Sequence, residues 1–124
     1  MNVLVDSSVW IDYFRNGDNK YFEQLLTEDI VVTNDIILSE LIPALAFQKQ
    51  NEVIVSLESI ECIPLSIDWQ LIRRYQILNL ANGINRVGIP DLIILQQTIE
   101  KNLTLYSFDK HFELMKNHLD FKTF

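Results

Sequence analysis

Short apolar runs alternate with longer amphipathic segments along the whole chain. The runs are rich in β-branched residues, as in Val3-Leu4-Val5, which is typical of buried strands. The longer segments carry apolar residues at spacings of three and four, which indicates helices. The predicted strands are residues 2–5, 29–33, 61–65, 103–108 and 121–124. The predicted helices are residues 7–16, 19–27, 35–50, 51–59, 69–80, 88–102 and 111–117.

Residues that start and stop helices lie between these segments. Ser7 and Ser8 can cap the first helix, and Gly17 can end it. Pro90 stands near the first turn of the sixth helix, where proline is tolerated.

The alternation of strand and helix predicts an α/β fold, a three-layer α/β/α sandwich with a mostly parallel central sheet. No repeat, charge run or linker interrupts it, so residues 1–124 are predicted to form one domain.

Composition places the chain among globular proteins and restricts its partners. Of 124 residues, 48% are apolar, which argues against disorder. The 10 basic and 17 acidic residues leave a net charge of −7, which opposes non-specific binding to nucleic acid. No apolar run approaches the roughly 20 residues that cross a bilayer. The chain starts without basic residues, meets a carboxylate at Asp6, and has the single cysteine Cys62, so a cytoplasmic location is predicted.

Three acidic residues lie where parallel strands are predicted to end. Asp6 directly follows the first strand, and Asp109 follows the strand that ends at Phe108. Asp91 stands in the first turn of a helix, after Pro90. Ligands of open parallel sheets bind beyond the carboxyl ends of the strands, so these three side chains are candidates for one site.

Glu40 is a fourth candidate because of its apolar surroundings. At helical spacing it shares a stripe with Ile36, Pro43 and Phe47, so it is predicted to lie on or beside an apolar face. An ionised carboxylate in that setting is costly unless it is paired or binds a metal ion.

Each acid taken singly also has a structural explanation. Asp6 and Asp109 could cap the helices that follow them, and Asp91 could be an ordinary acid in a helical first turn. A purely structural role is least convincing for Glu40, because exposed helical glutamates rarely stand among Ile, Leu and Pro. The joint arrangement of the four favours a site.

Four carboxylates at one place require a partner of opposite charge. Two like charges about 4 Å apart repel by roughly 4 kcal/mol at an effective dielectric constant near 20. A divalent cation removes that repulsion, and carboxylate oxygens favour Mg²⁺ or Mn²⁺. Zinc is disfavoured, since Cys62, His111 and His118 do not have the spacing of a zinc site. Such a cation could activate water against a phosphodiester.

The chain resembles the PIN-domain ribonucleases, and most closely the VapC-type toxins of toxin–antitoxin pairs. The resemblance covers nearly the whole chain, with its motifs in the order of the family. The matching stretches are VLVDSSVWID at 3–12, LSEL at 38–41, GIPDLII at 88–94 and SFDKHF at 107–112.

The resemblance implies an α/β/α sandwich and an endoribonuclease site that uses Mg²⁺ or Mn²⁺. Asp6, Glu40 and Asp91 match the three most regular acidic positions of the family, and Asp109 matches a fourth that holds Asp or Asn. Family members often have Asp-Phe where this chain has His111-Phe112. The resemblance therefore leaves open whether Asp109 binds the metal directly, binds it through water or supports the site.

Further residues are assigned supporting roles by the same resemblance. Ser7 matches a hydroxyl that often lies near the metal, and Ser107 would orient Asp109, although both could equally be helix caps. Independently of the resemblance, Arg86 and Lys110 are adjacent in sequence to the site and are favoured as RNA contacts, although each taken singly could be an ordinary solvated charge. The implied partners are an RNA substrate, a VapB-type antitoxin that inserts a basic side chain among the acids, and a second copy of the chain in a homodimer.

Two other functions remain open at this point. A phosphoacceptor receiver domain is similar in length, acidic and Mg²⁺-binding, but it needs an acidic pair after the first strand, where this chain has Asp6-Ser7-Ser8. It also leaves Glu40 unexplained. The second is a PIN domain that binds RNA or a partner without cutting. Dinucleotide-binding and ATP-binding loops are excluded, because the chain lacks both glycine-rich motifs.

Overall fold

The computed structural model describes residues 1–124 as one parallel sheet with seven helices. The strands are β1 (Val3–Val5), β2 (Val31–Thr33), β3 (Glu61–Cys62), β4 (Thr104–Tyr106) and β5 (Lys122–Thr123). The helices are α1 (Ser7–Asn16), α2 (Lys20–Thr27), α3 (Asp35–Phe47), α4 (Asn51–Glu58), α5 (Trp69–Ala81), α6 (Ile89–Glu100) and α7 (Lys110–Met115). The strand order is β3-β2-β1-β4-β5, and every neighbouring pair is parallel. The predicted α/β/α sandwich with a parallel sheet is confirmed.

The strand order creates a crevice at the carboxyl end of β1. From β1 the chain builds the sheet outward through β2 and β3, and then returns to place β4 on the other side of β1. The loops that leave β1 and β4 therefore depart toward different layers. This is the topological switch point at which open parallel sheets bind ligands. Asp6 follows β1 there, and Asp109 lies three residues after the end of β4.

The middle of the sheet is covered on both faces. Val3, Leu4 and Val5 are each completely buried, as expected for the central strand of a parallel sheet between two helical layers. Helix α6 is the most deeply packed helix, with the continuous run Leu92–Thr98 buried. The rigid packing of β1 and α6 fixes the two elements that carry Asp6 and Asp91.

All predicted elements exist, but most are shorter than the apolar runs indicated. The predicted strand over 29–33 begins only at Val31, because Asp29 has a φ of 57° and belongs to the turn after α2. Lys49, with a φ of 59°, lies in the turn that separates α3 from α4. No helix is both long enough and apolar enough to cross a membrane.

A buried amide network anchors α3 to the rest of the fold. Asn34 is fully buried, and its Oδ1 accepts a hydrogen bond from the Ile37 backbone N–H at 2.9 Å, which caps α3. Its Nδ2 donates to Oε1 of Gln97 at 2.7 Å. Gln97 in turn donates to the carbonyl oxygens of Ile63 and Pro64. The network joins α6, the loop after β3 and the start of the helix that carries Glu40.

We expect Asn34→Ala to lower the free energy of unfolding by about 2–3 kcal/mol, since it removes a helix cap and leaves a buried amide oxygen unpaired. Urea denaturation followed by circular dichroism measures the loss. Asp68→Ala is the matched control, because Asp68 caps α5 from an exposed position, accepting from the Leu71 backbone N–H. It should lose only about 1 kcal/mol. Equal losses in the two variants would contradict a stabilising role for the buried network.

Candidate metal centre

Asp6 is held at the carboxyl end of β1 by two serine hydroxyls. Its side chain is 4% exposed, and its Oδ2 accepts hydrogen bonds from Ser8 Oγ at 2.7 Å and from Ser107 Oγ at 2.8 Å. Asp6 occupies the position before α1, but its side chain accepts no capping hydrogen bond from that helix. The carboxylate therefore does not serve as a helix cap, and its Oδ1 has no protein donor.

The same two serines join the loops that follow β1 and β4. The Ser8 hydroxyl accepts from the Phe108 backbone N–H at 3.0 Å, and the Ser107 hydroxyl accepts from the Asp109 N–H at 3.0 Å. Ser107, predicted to orient Asp109, thus contacts both acids. The local sequence indicates Ser8 only as a possible helix cap. Its hydrogen bond to Asp6 is local, but its contacts with Ser107 and Phe108 depend on β4 lying beside β1, which residues near Ser8 do not reveal.

Asp91 has the most perturbed environment of the four acids. It lies partly buried in the first turn of α6, and the helix cap there is Gly88, which has no side chain to make a hydrogen bond. The pKa of Asp91 is raised to about 6, first by desolvation and then by the negative charges of Asp109, Asp6 and Glu40, while His111 opposes the rise. The charges of all three other acids therefore act on Asp91.

Glu40 approaches the site from a more exposed position than its sequence surroundings predicted. Its side chain is exposed, and Phe47 of the same helical stripe is 90% exposed. Glu40 lies beside the buried stripe of α3, which is formed by Ile37, Leu41 and Leu45, and not on it. Even so, partial desolvation and the charge of Asp6 raise the pKa of Glu40, and the Ser7 side chain opposes that rise.

Asp109 combines a capping role with a place in the cluster. Its Oδ1 accepts a hydrogen bond from the His111 backbone N–H at 2.9 Å and so caps α7, one of the alternatives open from the sequence. One ligand atom from each of Asp91, Asp109 and His111 lies within 4.8 Å of the others. The sequence does not predict His111 in this cluster, because its closeness to Asp91 depends on α7 beginning beside α6.

The two predicted RNA contacts lie outside this cluster. Arg86 is exposed in the loop before α6 and has a φ of 66°. Lys110 is exposed and is the first residue of α7, next to Asp109. Neither forms an ion pair with an acid. The nearest basic nitrogen to any of the four carboxylates is Nδ1 of His111, which lies 3.6 Å from Asp109 Oδ1.

The donor set fits a hard divalent cation. The four carboxylates have no lysine or arginine ion-pair partner, and the pKa values of Asp91 and Glu40 are raised partly by the other acids. Repulsion of this kind is removed when a cation binds between the oxygens. Carboxylate oxygens suit Mg²⁺ or Mn²⁺, and the chain offers no set of cysteines and histidines for zinc.

Comparison with known proteins identifies relatives by family and by fold. The family described as PIN domain matches residues 3–117. No curated protein sequence matches the chain significantly.

Solved structures of toxin–antitoxin complexes have a similar fold. The structure of VapBC2 from Rickettsia felis, bound to a DNA fragment from their promoter, matches with a TM-score of 0.79 and 17% identity, covering 100% of this chain and 98% of that one. DNA-bound VapBC from Salmonella typhimurium matches with a TM-score of 0.78 and 17% identity over 100% and 97% of the two chains. VapC20 of Mycobacterium tuberculosis, a Sarcin-Ricin loop cleaving toxin, matches with a TM-score of 0.61 and 14% identity over 96% and 97%.

Proposed function

Because this chain belongs to the PIN domain family, we propose that it is a metal-dependent endoribonuclease and the VapC-type toxin of a toxin–antitoxin pair. The observation that carries the proposal is that Asp91 and Asp109 lie together at the switch point, where the charges of Asp6 and Glu40 also act on Asp91. None of these four carboxylates has a lysine or arginine partner. Such a site attracts divalent cations and, through them, a phosphodiester.

In this proposal Asp6 and Asp91 are the principal metal ligands, and Glu40 completes the set of ligands. Asp109 assists a second metal ion or the attacking water. When bound, Mg²⁺ or Mn²⁺ would activate water for in-line attack and neutralise the charge that develops on the phosphodiester. The chain positions the ligands: Ser8 and Ser107 hold Oδ2 of Asp6, which leaves Oδ1 for the metal. Helix α6 fixes Asp91 in a partly desolvated place, where its charge interacts strongly with a cation.

The strand order argues against the receiver-domain alternative. Receiver domains have the order 2-1-3-4-5, whereas this sheet has the order β3-β2-β1-β4-β5. The carboxyl end of β3 also leads to Ile63 and Pro64 and supplies no phosphorylatable aspartate. A PIN domain that binds RNA or a partner without cutting is the remaining alternative.

Incubation of the purified chain with a pool of structured RNA tests the proposal. We expect cleavage with Mg²⁺ or Mn²⁺ and none with EDTA. A folded protein, free of antitoxin, that leaves the RNA intact at every metal concentration would favour the non-catalytic alternative.

Arg86 and Lys110 are proposed to contact RNA phosphates. We expect the double variant Arg86→Asn and Lys110→Ala to weaken RNA binding and to reduce the slope of log affinity against log salt by about 1.4, since each phosphate of a single strand that a cationic side chain neutralises adds about 0.7 to the slope. Asparagine is chosen at position 86 because it tolerates the positive φ found there.

The salt dependence of RNA binding is measured by fluorescence anisotropy with Ca²⁺ in place of Mg²⁺ to slow cleavage. Lys101→Ala is the control, because Lys101 is exposed and follows the far end of the helix that begins near Asp91. An unchanged slope in the double variant, or an equal change for Lys101→Ala, would refute the assignment.

The proposed partners follow from the relatives whose structures are VapBC complexes. We propose that a VapB-type antitoxin silences this chain by placing a basic side chain among the four carboxylates, and that the toxin forms a homodimer and acts in the cytoplasm. The net charge of −7 is compatible with a basic partner.

A further inference from the structure

His111 lies where an additional metal ligand would lie. Its side chain is partly exposed, and one of its ring nitrogens is grouped with carboxylate oxygens of Asp91 and Asp109 within 4.8 Å. Ligands of one octahedral ion with bonds near 2.1 Å stand about 3.0–4.2 Å apart. A small side-chain adjustment therefore brings all three atoms around one ion.

The distance between His111 and Asp109 favours shared ligation over a direct hydrogen bond. Nδ1 of His111 stands 3.6 Å from Oδ1 of Asp109, which is too long for a hydrogen bond. It lies within the range of two atoms that bind the same ion. The His111 backbone N–H also donates to this Oδ1 at 2.9 Å, so the turn at the start of α7 holds the ring and the carboxylate together.

We propose that His111 is a metal ligand, and that its nitrogen makes the site prefer Mn²⁺ over Mg²⁺. This inference rests on the proposed function and concerns the metal of that same site. Mg²⁺ favours oxygen ligands and gives up its waters reluctantly. Imidazole nitrogen is a better ligand for transition-metal ions, so exchange of a carboxylate for a histidine shifts the balance toward them.

Pulsed electron paramagnetic resonance of Mn²⁺ bound to the chain tests the ligation directly, without reference to cleavage. We expect the spectrum of the wild type to show coupling to a ¹⁴N nucleus, and His111→Asp to bind Mn²⁺ without that coupling. His118→Gln is the matched control, since the chain has two histidines and His118 pairs with Asn79 Oδ1 at 2.9 Å, apart from the three-residue group. Its spectrum should keep the coupling.

Competition between the two ions tests the preference. Mg²⁺ is titrated against bound Mn²⁺, and the ratio of the two dissociation constants is compared between the wild type and His111→Asp. We expect the preference for Mn²⁺ to fall about tenfold in the variant, since loss of even a group that only orients a ligand costs a metal site about tenfold or more.

Different failures have different meanings. Bound Mn²⁺ without nitrogen coupling in the wild type would overturn the assignment of His111 and leave the proposed nuclease untouched. Nitrogen coupling that survives in His111→Asp, or a metal preference that is unchanged in this variant, would also overturn the assignment of His111 and leave the proposed nuclease untouched. Absence of any Mn²⁺ binding to the folded wild type would overturn both proposals.

Discussion

Asp6→Asn is expected to abolish RNA cleavage while the protein stays folded. Asp6 is the most buried of the four acids, and its Oδ1 is available to a metal. Asparagine keeps the shape of the side chain, and its single oxygen can still accept from Ser8 and Ser107. The variant loses the negative charge, so we expect the cleavage rate to fall on the order of a thousandfold, the scale of removing one preorganised electrostatic interaction.

Single-turnover cleavage rates measure this loss, and circular dichroism shows whether the fold persists. Ser8→Ala is the graded comparison, because it removes one of the two hydroxyls that hold Oδ2 and leaves the charge in place. We expect a loss of about 10–100-fold, as for other groups that orient a metal ligand. Activity of Asp6→Asn equal to the wild type would contradict the assignment of Asp6 as a ligand.

Asp91→Asn is expected to change stability and activity in opposite directions. The pKa of Asp91 is raised from 3.8 to about 6, so the folded protein holds this proton more tightly than the unfolded chain does. Stability contributed by the neutral form is therefore lost as the pH rises from about 4 through 6. Without metal at about pH 7.5, the charged carboxylate destabilises the fold, and its removal should stabilise it.

The size of the gain is limited by solvent at this partly exposed side chain. We expect Asp91→Asn to add about 1 kcal/mol to the free energy of unfolding in EDTA at about pH 7.5, after allowance for screening. This corresponds to a rise in Tm of about 4 °C. The gain should vanish near pH 4, where the carboxyl group of the folded wild type is protonated. Cleavage should be lost at every pH.

Thermal melts in EDTA and in Mn²⁺ at several pH values test this prediction. Mn²⁺ should raise the Tm of the wild type and leave that of Asp91→Asn nearly unchanged, because binding to the folded state alone is what stabilises it. Asp18→Asn is the control, since Asp18 is exposed in the loop between α1 and α2. A Tm for Asp91→Asn below that of the wild type, in EDTA at about pH 7.5, would show that the charged Asp91 carboxylate does not destabilise the fold.

Local sequence predicted the elements and the placement of most candidate residues at their ends. Val3-Leu4-Val5 followed by Asp6 indicates a buried strand with an acid at its carboxyl end, and the fold has this arrangement. Pro90 and Asp91 likewise mark the first turn of α6. These features depend on residues close together in sequence, which is why periodicity and helix-start patterns find them.

Features that depend on strand order were not predictable in the same way. The hydroxyl of Ser8 contacts Ser107 and Phe108, about one hundred positions away, only because β4 pairs with β1. The exposure of Glu40 depends on which stripe of α3 meets the core, and two apolar stripes compete in that helix. The placement of His111 near Asp91 requires α7 to begin beside α6.

The ends of the RNA fragments test the central claim most directly. Attack by water that breaks the bond between phosphorus and O3′ leaves a 5′-phosphate and a 3′-hydroxyl. Attack by the RNA 2′-hydroxyl breaks the bond to O5′ and leaves a 2′,3′-cyclic phosphate and a 5′-hydroxyl. We predict cuts with 5′-phosphate ends that disappear with EDTA, return with added Mn²⁺ and are absent from Asp6→Asn. Cuts that persist in EDTA, or that carry cyclic phosphates, would contradict a metal-dependent site at these four carboxylates.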